Sequence, residues 1–289
     1  IFMANLKEIR NRISSVSSTM QITSAMKMVS AAKLKKAQEA ITSVKPYSEK
    51  LDELIGLLSS GSAGIENNEY FRSNKSNKIL IISISSNRGL CGAFNANIIK
   101  ETIRLNQTDF KDSDVEVLSI GKKGGDVLSK SIKLKERYDY LFDDLNFENT
   151  EPVVDIIMKS YREKEYDKIL LVYNRFKNAA TQVVSVDNFL PVEKSSKNKE
   201  IKNFDTFFEP SETEILKSLI PKSLKVKFYK SLRDSFASEH GARMTAMHKA
   251  TDNATELRDE LKLTYNKARQ ASITNEILEI VGGAEALKN

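Results

Sequence analysis

Residues 222–281 read KSLKVKFYKSLRDSFASEHGARMTAMHKATDNATELRDELKLTYNKARQASITNEILEIV, a run that holds Gly241 but no proline before Gly282-Gly283 stops it. A helix over that span reaches roughly 90 Å at ~1.5 Å per residue, several times an ordinary globular helix. Within it Val226, Tyr229, Phe236, Met247, Ala250, Ala254, Leu257, Leu261, Ala268 and Ala271 follow one alternation of three and four residues, interrupted by Arg233, His240 and Arg243. Such spacing predicts a helix laid against a second helix. The other end of the chain supplies one. Residues 3–45 lack Gly and Pro, and Leu6, Ile9, Ile13, Val16 and Met20 alternate in the same way. The register resumes at Leu34, Ala37, Ile41 and Val44, and again at Leu51, Ile55 and Leu58. Thr23, Lys27 and Ser30 hold it with polar side chains, while Ile22, Ala25, Met26, Met28, Val29 and Ala31 sit elsewhere on the helix. Pro46 is expected to kink or end this helix, although the pattern recovers beyond it. Two long helices at opposite ends of one chain most simply pair antiparallel, with the left-handed supercoil of a seven-residue repeat.

The middle has a different grammar. Lys78–Ile84, KILIISI, is a short continuous apolar run of the kind a buried parallel strand requires. A Gly-containing turn and a helical stretch near 94–105 follow. Val115–Ile120 repeats the pattern, followed by Gly121, Gly124, Gly125 and a further helical stretch. Residues 152–164 read as a helix, Ile169–Tyr173 as a third buried strand and Gln182–Val186 as a fourth. The Lys/Ser/Asn-rich stretch 193–203 reads as a surface loop. Strands alternating with helices argue βαβ units. The fold expected is therefore α/β: a Rossmann-like domain over 76–208, inserted between coiled-coil helices over 1–60 and 211–289.

Composition narrows the function. The excess of six positive charges is small for a nucleic-acid binder and lies at the N-terminus, where eight basic residues in 1–45 face Glu8 and Glu39 alone. An acidic partner is the natural complement. The lone Cys91 allows no internal disulfide and no cysteine-based zinc site, and His240 and His248, eight positions apart, miss the spacing of a helical metal pair. No apolar run approaches the ~20 residues of a membrane span. With no export signal ahead of Met3, a soluble, intracellular, reducing setting is expected.

Phosphate chemistry fares no better. A P-loop requires GxxxxGK[ST], and neither Asn87-Arg-Gly-Leu-Cys-Gly92 nor Ile120-Gly-Lys-Lys-Gly-Gly125 matches that or GxGxxG. Those glycines read as tight βα turns, Cys91 as a small buried thiol, and Asp143-Asp144 as an acidic loop. No catalytic constellation is found, and no cofactor or metal is expected. The residues alone leave open a rotor or interaction subunit, a nucleotide-dependent enzyme with a coiled-coil arm, and a basic coiled-coil nucleic-acid adaptor.

Longer motifs favour the first. They are Asn5-Leu-Lys-Glu-Ile-Arg10 and Met20-Gln-Ile-Thr-Ser-Ala-Met-Lys-Met-Val29 near the start, and Ser86-Asn-Arg-Gly-Leu-Cys-Gly-Ala-Phe-Asn95 in the middle. Near the end stand Ala242-Arg-Met-Thr-Ala-Met247, Ala250-Thr-Asp-Asn-Ala254, Tyr265-Asn-Lys-Ala-Arg-Gln-Ala-Ser-Ile-Thr-Asn-Glu276 and Glu279-Ile-Val-Gly-Gly-Ala284. In this order, over nearly the whole chain, they resemble the gamma subunit of F-type ATP synthases, bacterial type. Ser24 departs from the lysine of many relatives, and the redox insert of chloroplast relatives has no counterpart here. The resemblance implies a non-catalytic central-stalk rotor that couples ion-driven rotation of the membrane c-ring to ATP synthesis or hydrolysis by alpha and beta subunits. It further implies an epsilon-subunit partner and a peripheral place at the cytoplasmic face of the bacterial inner membrane. Met26, Arg243, Gln270, Thr274 and Glu276 match positions near the catalytic subunits. Phe204, Phe207, Phe208 and Glu209 match the region near epsilon and the c-ring.

Overall fold

The computed structural model describes residues 6–59, 68–72, 74, 76–193, 209 and 211–286. Helix α1 runs Leu6–Ser59 and helix α5 Glu212–Ala286. Between them lie β1 (Lys78–Ile84), α2 (Phe94–Arg104), β2 (Asp114–Ile120), α3 (Lys122–Leu128), β3 (Lys133–Arg137), α4 (Phe147–Arg162), β4 (Lys168–Phe176) and β5 (Gln182–Leu190). Most of the stretch 193–203 lies outside the described residues.

The helix does not end at Pro46: α1 passes through it, and α5 begins ahead of Pro221 and passes through that as well. An interior proline forfeits one backbone hydrogen bond and costs about 3 kcal/mol. Side chains buried beyond each proline, Leu51 and Leu58 in α1 and Leu224, Phe228 and Leu232 in α5, offset that cost.

Chain contacts divide the protein into two compact units, one made of residues up to Val29 with those from Met244, the other Ser30–Arg243. In the first, α1 and α5 pair antiparallel. The Thr23 and Thr251 hydroxyls lie 2.8 Å apart, and Arg258 Nη1 reaches Met20 Sδ at 3.5 Å, so an earlier residue of α1 meets a later residue of α5. The α1 seam is as expected, and its polar members are covered too: Ile9, Thr23 and Ser30 are buried, with Ile13, Val16, Met20 and Lys27 half-buried.

The α5 seam follows its apolar residues only in part. Beyond Met247 the residues Thr251, Ala254, Arg258, Leu261, Tyr265, Ala268 and Ser272 are covered at four-three spacing, Ala250 and Thr255 beside them are half-covered, and Leu257 and Ala271 face outward. Arg258 can take a seam position because its aliphatic stem packs while its head pairs with Asp259 at 2.9 Å. The strict four-three spacing wins over the hydrophobicity of individual residues, and it leaves Leu257 47% exposed.

In the second unit the sheet order is β3-β2-β1-β4-β5, with β1 to β4 parallel and β5 antiparallel. Alternation along the strands builds two cores. Leu80, Ile82, Leu118, Ile169 and Leu171 meet α4 through Val154 and Ile157, and α5 through Leu216, Ile220 and Phe228. Ile81, Val117, Leu170 and Val172 meet Ile98 of α2 and Leu128 of α3. Strand β3, KLKER, escapes a hydrophobicity reading because it is an edge strand, where charge discourages pairing with other chains. Its Lys133 pairs with Glu116, a buried β2 carboxylate that also accepts from Tyr166 Oη at 2.6 Å.

Candidate functional site

In open α/β sheets, ligands bind outside the C-terminal ends of the strands where the strand order reverses. Here that point lies between β1 and β4, and α5 occupies it. Ser238 Oγ donates to the Asn174 carbonyl of β4 at 2.9 Å, and Asn174 Nδ2 donates to the carbonyl of Phe94 at 3.2 Å. A Cβ at Gly241 would stand 3.3 Å from the backbone of Ala179, so glycine lets α5 approach the β4–β5 turn closely.

Arg243, expected beside catalytic subunits, is 6% exposed and turned inward. Its Nη1 pairs with Glu239 at 2.7 Å, Nη2 donates to the Arg88 carbonyl at 3.0 Å, and Nε and Nη2 each donate to the Gly89 carbonyl at 3.3 Å. Burial raises the Glu239 carboxyl above its usual range, and Arg243 opposes that rise. Cys91 is buried beside Phe94 and Ala242, and burial pushes its thiol up. This constellation has no reactive nucleophile.

His240 lies against Phe236 with ring centroids 4.5 Å apart, and its Nδ1 is 3.3 Å from Arg243 Nη1. Its buried Nε2 finds no hydrogen-bond partner among the described residues. Burial first, then the Arg243 and Lys33 cations, pushes its pKa down from 6.5 to about 3. A depressed histidine takes up protons more readily when unfolded, so its contribution is full above pH ~6.5 and is lost as pH falls towards ~3. Relative to His240→Gln, the wild-type protein should therefore lose melting temperature progressively below that pH and none above it, as read from thermal melts across the range. His248, by contrast, is exposed and pairs with Asp252 at 3.4 Å.

Met26, Gln270, Thr274 and Glu276 are on helix surfaces of the first unit. Met26 is half-buried, and Ile22, Met28 and Val29 around it are 60%, 67% and 57% exposed. Gln270, Thr274 and Glu276 are exposed on one stretch of α5, where the Thr274 hydroxyl donates to the Gln270 carbonyl at 2.9 Å. Ile273, Ile277, Leu278, Ile280 and Val281 accompany them, each at least 48% exposed. Glu209 is exposed, whereas Phe204, Phe207 and Phe208 lie outside the described residues. The sequence reading missed the inward turn of Arg243; its signal was the break in the apolar register at Arg233, His240 and Arg243, where α5 meets the sheet. It also missed the outward Leu257, for which the sequence offers no signal.

A family model for ATP synthase matches residues 5–287. The ATP synthase gamma chain of Flavobacterium johnsoniae is 62% identical over 286 residues, covering 99% of both chains. The chain belongs to the ATP synthase gamma family. Another member, the ATP synthase gamma chain of Flavobacterium psychrophilum, is 60% identical over 287 residues, 99% of this chain and 100% of the relative. Among solved structures, this family member is similar to a chain of the central stalk and c-ring of Tetrahymena thermophila mitochondrial ATP synthase, with TM-score 0.60 and 25% identity over 79% of this chain and 99% of that one. Its fold is also that of a chain in the Euglena gracilis mitochondrial ATP synthase rotor, with TM-score 0.66 and 21% identity over 93% and 98%. No helix among the described residues is long and apolar enough to cross a membrane.

Proposed function

We infer that this chain is the central-stalk rotor subunit of an F-type ATP synthase, coupling rotation of the c-ring to conformational cycling of catalytic sites on alpha and beta subunits. The full-length correspondence with ATP synthase gamma chains carries this reading. The geometry supports it. A rotor requires stiff paired helices and a surface that meets a changing partner without one fixed packing. The exposed Ile22, Met28, Val29 and Leu257 supply such a surface, with methionine adaptable to more than one neighbour. In this reading catalysis belongs to the alpha and beta subunits, as the correspondence with gamma chains implies. Alpha, beta and epsilon subunits and the c-ring are its partners, and its place is peripheral, at the cytoplasmic face of a bacterial inner membrane. The functional division is a shaft of the two terminal helices and an α/β body over 76–208.

Met26, Gln270, Thr274 and Glu276 are the direct contacts to the catalytic subunits in this reading, and the region around Glu209 faces epsilon and the c-ring. Met26→Lys tests the first group. A half-buried lysine extends its ammonium to solvent along its stem, so folding and assembly should survive. The new cation then meets the changing partner loops. ATP synthesis driven by a proton gradient should fall several-fold more than ATP hydrolysis in the assembled complex. Equal synthesis and hydrolysis relative to wild type would remove Met26 from the contact.

A further inference from the structure

The turn that follows β1 has two contrasting sides. Inside, Ser86 N donates to Asn95 Oδ1 at 2.9 Å, Ser86 Oγ donates to the Arg88 carbonyl at 2.7 Å, and the buried Cys91 accepts from Asn95 Nδ2 at 3.3 Å. Outside, Arg88 is exposed, and Leu90 is 64% exposed with φ of +62°. A leucine in the left-handed region is strained, and such strain persists only where the surroundings impose it. Arg243 holds the two residues that precede Leu90. Its planar fork takes the adjacent carbonyls of Arg88 and Gly89 together, and the Glu239 carboxylate holds the remaining nitrogen. A lysine has no fork and cannot make that set of contacts.

We propose that Arg243, held by Glu239, is a positioning residue that locks the 86–92 turn onto α5, so that Arg88 and Leu90 project as a rigid contact and load on the turn passes directly into α5. The functional half rests on the rotor reading above. On this account Arg243 affects coupling through its own turn and not by touching a catalytic subunit.

Cys91 reports the state of the lock. In the purified full-length chain and in the assembled complex, the rate at which an aromatic disulfide reagent labels Cys91 should rise about tenfold in Arg243→Gln, as local opening becomes easier. Arg243→Lys and Glu239→Gln should shift it the same way, by less. Circular dichroism melts identify the variants that remain folded, and the conservative pair keeps the test available if Arg243→Gln does not fold. In the same complexes the ratio of ATP synthesis to hydrolysis should fall in step with Cys91 exposure. Cys91 protected as in wild type in folded Arg243→Lys and Glu239→Gln would overturn the lock. Loss of coupling with Cys91 still protected would also overturn it, assigning Arg243 to direct contact with a partner. Faster labelling with coupling unchanged would refute the transmission of load. Failure of the wild-type chain to assemble would instead count against the rotor reading, and the labelling result would stand apart from it.

Discussion

Gly121→Ala is expected to destabilise the α/β unit severely. Gly121 follows β2 at φ +95°, and a Cβ there would stand 2.3 Å from the Ser85 carbonyl oxygen and 2.7 Å from its carbon. Neither side can yield. Ser85 N donates to the Ile120 carbonyl at 2.8 Å, Gly124 N to Ser85 Oγ at 2.9 Å and Lys123 N to the Ser86 carbonyl at 3.0 Å, so the ends of β1 and β2 and the start of α3 are tied together. Strained backbone plus a backbone clash places the cost at about 3 kcal/mol or more, a large share of a typical domain's stability. Gly92→Ala is the control: its φ is +59°, but nothing lies within 4 Å of a Cβ, so about 1 kcal/mol is expected. Urea unfolding followed by circular dichroism separates them. Equal midpoints for the two variants would show that the contact at Ser85 relaxes.

Removing residues 270–289 should have the opposite profile, with function lost and fold retained. From Gln270 to the last described side chains only Ser272 is even half-covered, so the chain alone gains little from this stretch. Ile273, Ile277, Leu278, Ile280 and Val281 stay exposed, yet burying such side chains against a partner is worth about 1.5–3 kcal/mol each. The truncated chain should melt within a few degrees of the full one. Its complex with alpha and beta subunits should dissociate faster and synthesise ATP at a several-fold lower rate. Wild-type synthesis by the truncated chain would remove the end of α5 from the contact surface.

Much of the fold was legible because burial leaves a one-dimensional trace. Strand β1 was readable to the residue from KILIISI, since a strand covered on both faces has no polar side to interrupt it. The α1 seam was readable through Thr23 and Ser30, because register survives a polar residue where partner spacing is fixed. What stayed hidden depended on neighbours distant in sequence. Whether α1 continues through Pro46 is decided by packing beyond it. Strand β3 exists because β2 offers an edge, and its own charges argue against it. Arg258 and Leu257 exchange their expected sides because the partner helix sets a seven-residue repeat. The candidate contacts divide likewise. Gln270, Thr274 and Glu276 were readable as exposed helix positions, whereas the inward aim of Arg243 depends on carbonyls more than 150 positions away.

The central claim is that this chain acts by turning inside an assembly and catalyses nothing itself. Mixing it with alpha and beta subunits, and assaying ATP hydrolysis by the mixture and by each component, tests that claim most directly. A stoichiometric complex that hydrolyses ATP, with this chain inactive alone, is the predicted result. Absence of association, or hydrolysis by this chain alone, would contradict it.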